Sequence, residues 1–172
     1  RPLITEYGLV KPSQEQIIAT YTRDNKGMVV GYVLYNRLNI STQISKNTVL
    51  YSNAIQGNIK TIGNIKIERR DIDFTEEVCS AIAILEVLEN YYNIQDLNYF
   101  ALIALFENFA QNYDEEILNK VLSVCKYSKS TIAFLRCILD YYKVENNLSE
   151  RLSALSSYRH PTMEEIYEFA RT

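Results

Sequence analysis

The sequence predicts an α+β fold, with a small basic module of β-hairpin, helix and strand over residues 1–72 and an acidic all-helical bundle over residues 73–172. Three observations carry this reading. The apolar period changes from strand-like to helical at Thr75. The charge changes sign nearby: up to Arg70, ten Lys and Arg stand against four Asp and Glu, a net +6, and beyond it eight stand against seventeen, a net −9. One phrase is also written nearly twice, as SAIAILEVLENYYNIQDL from Ser80 and STIAFLRCILDYYKVENNL from Ser130.

In the basic module, Ile17 to Thr22 and Met28 to Tyr35 are rich in β-branched and aromatic residues. Between them lies Arg23-Asp24-Asn25-Lys26-Gly27, whose short polar side chains and glycine suit a tight turn. The pair reads as a β-hairpin. Ser45 reads as the N-cap of a short helix over Lys46 to Gln56, stopped by Gly57, with Val49, Leu50, Ala54 and Ile55 toward the sheet. Thr61 to Glu68 alternates and reads as a third strand.

The motifs GYVLYN, KNTVLYSNAIQGNI and GNIKI in this segment resemble a small module of uncharacterised proteins from phages and mobile elements of low-GC Gram-positive bacteria. The resemblance covers about Val29 to Ile67. It implies a ββαβ order and a phage or mobile-element setting, and none of its motifs is catalytic. The family pattern often has a turn residue after the first strand, where this chain has Asn36-Arg37-Leu38-Asn39-Ile40.

The acidic half predicts about six helices. Thr75 precedes one that runs to about Asn90, with a stripe of Val78, Ile82, Leu85 and Leu88. Asp96 caps a second, Leu97 to Gln111, apolar enough to be the central buried helix. Asp114 caps a third, Glu115 to Lys126, and Ser128 or Lys129 opens a fourth to Lys143. Ser149 caps a fifth to about Ser157, and Thr162 with Glu165 forms a capping box for a sixth, Met163 to Arg171. A shift of fifty positions brings Ser80, Ile82, Ala83, Leu85, Tyr91 and Tyr92 onto Ser130, Ile132, Ala133, Leu135, Tyr141 and Tyr142. That admits two three-helix repeats, 75–125 and 128–172, whose tyrosine pairs punctuate helix ends. The competing account is that amphipathic helices of biased composition resemble one another.

Composition bounds the function. Apolar residues make up 47% and charged residues 23%, enough for a core. Trp is absent and Tyr abundant, a bias suggestive of an AT-rich genome. No window approaches a membrane span, and no signal-peptide pattern follows the Arg1-Pro2-Leu3 start, which reads as a cut boundary. Cys79, Cys125 and Cys137, odd in number and far apart, suit reduced thiols in a bacterial or infected-cell cytosol. Asn39-Ile40-Ser41 and Asn147-Leu148-Ser149 match the glycosylation triplet, a chance match in an Asn-rich chain.

Candidate chemistry is sparse. Lys60, Lys66, Arg69 and Arg70 lie on or after one strand and suit phosphate contacts, with Tyr32 and Tyr35 as stacking platforms for bases. The alternative is a solvated sheet face whose charge complements the acidic helices. His160 is the lone histidine, in a loop without ligands at metal spacing. Glu76-Glu77, Glu115-Glu116 and Glu164-Glu165 sit in first helical turns, where the helix dipole accounts for them. A faint helix-turn-helix pattern over Val121 to Leu135 has Leu122 and Lys126 where small turn residues are usual. No metal-ligand, nucleotide-loop or other cofactor pattern occurs.

The expectation is a non-catalytic binding or regulatory protein acting through a macromolecule, a protein partner first. The alternatives are a nucleic-acid binder using the basic module, or an inhibitor whose acidic helices imitate DNA. An enzyme ranks third.

Overall fold

A computed structural model describes residues 3–5 and 8–172. Leu3–Thr5 (β1) and Gly8–Val10 (β2) form a separate antiparallel ribbon. Gln14–Thr22 (α1) follows, then the strands Gly27–Val30 (β3), Thr48–Ser52 (β4), Ile59–Ile62 (β5) and Ile65–Arg69 (β6), with the short helix Tyr32–Arg37 (α2) after β3. The four strands form one sheet in the order β3-β4-β6-β5. β4 and β6 run parallel, and the outer pairings are antiparallel. The α+β class stands, and among the described residues every strand precedes Arg70.

Four expectations in this half are corrected, the first being the strand over Met28 to Tyr35, which stops at Val30 and gives way to α2. Ile17 to Thr22 is not a strand but the end of α1. Ser13 and Gln16 form a reciprocal capping box there, so a local helix signal outweighs β-branched composition. The Asp24–Asn25 turn exists, both residues taking left-handed φ, but it joins a helix to β3. The expected helix over Lys46 to Gln56 is instead β4, whose alternating burial sends Val49 and Tyr51 to one face and Leu50 to the other. Thr61 to Glu68 is not one strand but a two-residue hairpin turning at Gly63, which takes φ 59°.

The sheet is covered on both faces. Val29, Leu50, Ile55, Ile65 and Ile67 meet Ile17, Ile18 and Tyr21 of α1. On the other face, Met28 and Val30 join a cluster that runs on through Leu34, Tyr35, Ile72 and Phe74 into the helices. This apolar cluster crosses the expected boundary between residues 72 and 73.

Beyond the sheet lie Glu76–Glu89 (α3), Tyr99–Gln111 (α4), Glu115–Val124 (α5), Lys129–Tyr141 (α6) and Met163–Arg171 (α7). The caps at Thr75, Asp114, Ser128 and Thr162 are as expected, each side chain accepting a backbone N–H from the first turn. Asn98, not Asp96, caps α4. The central helix is α3, buried continuously from Ala81 to Leu88, whereas α4 leaves Phe100 73% exposed. The expected fifth helix is a single 3-10 turn, Leu148–Arg151, followed by an irregular loop. Position by position, that stretch is the counterpart of α4, so the second half of the doubled phrase lacks the middle helix of the first. Both tyrosine pairs are edge-on, centroids 5.1 Å apart, but Tyr91 is buried with Tyr92 exposed while Tyr141 is exposed with Tyr142 half-buried. No helix among the described residues is long and apolar enough to cross a membrane.

Candidate functional site

Strand alternation separates the basic candidates. Ile65 and Ile67 face α1, and Arg69 continues that face, while Lys66 and Glu68 face the helical side. Lys60 pairs across from Ile67 and shares its face. Lys60 donates to the Tyr21 hydroxyl at 2.7 Å and lies 5.2 Å from that ring's centre. Lys66 and Arg70 both pair with Glu68, at 2.8 and 3.0 Å, and Arg69 pairs with Asp71 at 2.7 Å. Tyr35 is 4% exposed, too buried for a base to stack on it. Half-buried Tyr32 accepts from the Gln95 N–H at 3.3 Å. The six candidates therefore do not form one surface. Among the described residues the charge asymmetry is also not spent across the sheet–helix boundary, since the four ion pairs lie within residues 66–71 or within α6.

Two of the six, Tyr32 and Tyr35, do converge in a cleft of about 250 Å³ where β3 and β4 meet α3. Val30, Val49 and Ile94 supply its apolar walls, Tyr51 a third ring, and Glu86 a carboxylate. The Tyr32 and Tyr35 rings stand edge to face, 5.6 Å apart. Glu86 lies on α3 and is 7% exposed. Its Oε1 accepts from the Tyr51 hydroxyl at 2.7 Å and the Tyr127 hydroxyl at 2.9 Å. Burial raises the Glu86 carboxyl above the ordinary range, although those two hydroxyls and Arg70 pull the other way. The Tyr35, Tyr51 and Tyr127 hydroxyls are pushed up by burial and by the Glu86 charge, so all three stay protonated donors. The Arg70 guanidinium sits over the Tyr51 ring at 4.3 Å, and its hydrogen bonds go to Arg69 O and Glu68.

A second concavity, of about 530 Å³, opens between α3, α4 and α5. Leu38, Ala81, Ala83, Leu105, Phe109 and Ile117 make its apolar floor. Exposed Glu76, Glu77 and Asp114 stand on its rim with Ser80, Asn108 and Asn112. No Lys or Arg lines it, and among the described residues no ion pair engages these carboxylates.

The lone histidine borders a cleft of about 560 Å³ that also holds Cys137, Asp140 and Glu164. Its Nδ1–H donates to Pro161 O at 2.9 Å, and its ring stacks on Phe134, so packing and a backbone bond fix it. Among the described residues no hydrogen bond joins it to a thiol or carboxylate. Burial raises the Cys137 and Cys125 thiols and holds Cys79 up at about 11, so each stays protonated at neutral pH and is a weak nucleophile. Among the described residues no three His, Cys, Asp or Glu side chains converge at metal-binding distance.

Glu86 does carry one signal in the sequence. Val78, Ile82 and Glu86 recur at four-residue spacing, which puts a carboxylate on the buried stripe of an apolar helix. Its hydroxyl partners, Tyr51 and Tyr127, lie 35 and 41 residues away and carry no such signal. No protein-family model matches the chain, and no significant match to a curated protein or a solved structure is found.

Proposed function

We propose that the chain is a non-catalytic cytosolic binding protein that receives a basic amphipathic segment of a protein partner in the groove between α3, α4 and α5. One observation carries this reading: an apolar floor ringed by Glu76, Glu77 and Asp114, with no cation in the lining. The floor offers apolar burial, and the rim offers charge complementarity that steers and orients a basic partner. Three free cysteines fit a reducing compartment. A protein partner is favoured over nucleic acid because the Lys66, Arg69 and Arg70 charges are already paired and face opposite sides of the sheet.

The test uses a fluorescein-labelled amphipathic Lys/Leu helical peptide read by anisotropy. Ser80 is exposed at the groove, so Ser80→Trp fills it from the rim without entering the core. Affinity should fall about tenfold in Ser80→Trp and in the doublet Glu76→Lys/Glu77→Lys. The charge-matched doublet Glu145→Lys/Glu150→Lys, at residues that do not line the groove, should leave it unchanged. Equal loss in both doublets, or full affinity in Ser80→Trp, refutes the groove. A duplex DNA probe that binds the wild type and is lost when Lys66, Arg69 and Arg70 become Ala would put the nucleic-acid reading in its place.

A further inference from the structure

The groove leaves Glu86 unused. A carboxylate this buried is costly unless a cation pairs with it. Among the described residues no ion pair and no hydrogen bond reaches its Oε2, and both tyrosine hydroxyls bond to Oε1. Arg70 is near enough to influence it electrostatically, but it does not line the cleft. What lies open beside the carboxylate is a cleft walled by Tyr32, Tyr35 and Tyr51, with Val30, Val49 and Ile94 filling the rest of the wall. The Tyr32 and Tyr35 rings meet at 76°.

We propose that this cleft is a binding site for a small quaternary ammonium group, with Glu86 as its counter-charge, Tyr32 and Tyr51 as its aromatic walls, and the buried Tyr35 ring backing Tyr32. Aromatic faces attract a cation. A quaternary alkylammonium group is more weakly hydrated than a primary ammonium, so entering an apolar cleft costs it less, and Glu86, giving up its proton to solvent as the cation enters, supplies the charge that a neutral cage lacks. A volume of about 250 Å³ admits a head group of choline size and little more. An anion is disfavoured beside Glu86, and a neutral apolar molecule leaves the carboxylate uncompensated. The cleft shares no lining residue with the groove between α3, α4 and α5, so the two sites stand or fall separately.

Two sources of the group are separated by the choice of probe: tetramethylammonium and choline for a free small amine, and a doubly blocked trimethyl-lysine amide for a side chain of a partner. The readout is the backbone amide resonances of Gly31 and Asn90, which line the cleft. At least one ammonium probe should shift them saturably, and the tighter one names the source. The neutral isostere tert-butanol should not shift them. Glu86→Gln keeps a carbonyl to accept both tyrosine hydroxyls and should weaken binding about tenfold. Tyr32→Ala, at a half-exposed wall, should weaken it about threefold and serves if the buried variant fails to fold. Saturation by no ammonium probe overturns the site, as does an equal response to tert-butanol or undiminished binding in both variants.

Discussion

Glu86 is the residue at which folding and ionisation conflict. Its neighbours are Tyr35 on α2, Tyr51 on β4, Arg70 after β6, Glu89 on its own helix, and Cys125 and Tyr127 beyond α5. Burial outweighs the hydroxyl bonds and the Arg70 charge, so the folded carboxyl holds its proton to higher pH than the unfolded one. At pH below the ordinary carboxylate range both states are protonated, and Glu86 contributes no pH dependence. As pH rises from that range through the raised folded value, the unfolded chain ionises first and stability is lost. Above the folded value the full cost of the buried charge remains. Glu86→Gln has no such titration. In urea unfolding of both proteins from about pH 4 to about pH 8, the midpoint of the glutamine variant should gain on wild type as pH rises and then level off. A constant gap between the two would show that Glu86 is not held protonated by the fold.

At the scale of elements, what was legible in the sequence was whatever is decided locally. The caps at Thr75, Asp114, Ser128 and Thr162 each complete a hydrogen bond within three residues, so the pattern that announces them is also the structure that forms. The sheet half was less legible because its partners are distant. Thr48–Ser52 is a strand through its pairing with β3 and β6, and the Ser45 signal spends itself in a local turn, its hydroxyl accepting from the Asn47 N–H. Gly27 shows the difference at one position. It reads as a turn glycine, yet the left-handed φ values belong to Asp24 and Asn25. What Gly27 provides is close approach: a Cβ there meets Tyr51 O at 2.2 Å and Tyr21 O at 2.4 Å, both backbone atoms that do not yield easily. Gly27→Ala should therefore pry β3 from β4 and from the end of α1, costing about 3 kcal/mol by chemical denaturation. Gly57→Ala, with no atom nearer than 3.9 Å, is the matched control and should cost under about 1 kcal/mol. Similar losses in the two would remove close approach as the reason for glycine at 27.

At the scale of the whole molecule, the sequence divides the chain by charge and period, while the core joins it. Met28, Val30, Leu34, Tyr35, Ile40, Ile72 and Phe74 share one buried cluster with Val78, Ile82 and Leu85 of α3 and with helices beyond it. Tyr35 and Tyr51 add hydrogen bonds from the sheet side to Glu86, and the Asn98 N–H donates to Ile40 O across the same seam. None of this is visible in a charge count, because the seam is apolar and its few polar contacts join residues far apart in the chain. The consequence is thermodynamic. Cutting between residues 72 and 73 exposes the helix-facing side of the sheet and the most buried helix together, and neither piece retains a closed core. Unfolding of the intact chain should be one cooperative transition, with far-ultraviolet dichroism, which reports mainly the helices, coinciding with tyrosine absorbance, which samples both halves. Peptides 1–72 and 73–172, made separately, should each lack cooperative melting. Two resolved transitions in the intact chain, or a sharp melt of 73–172 by itself, would return the molecule to two independent domains, with the cluster around α3 a contact between them and not a common core.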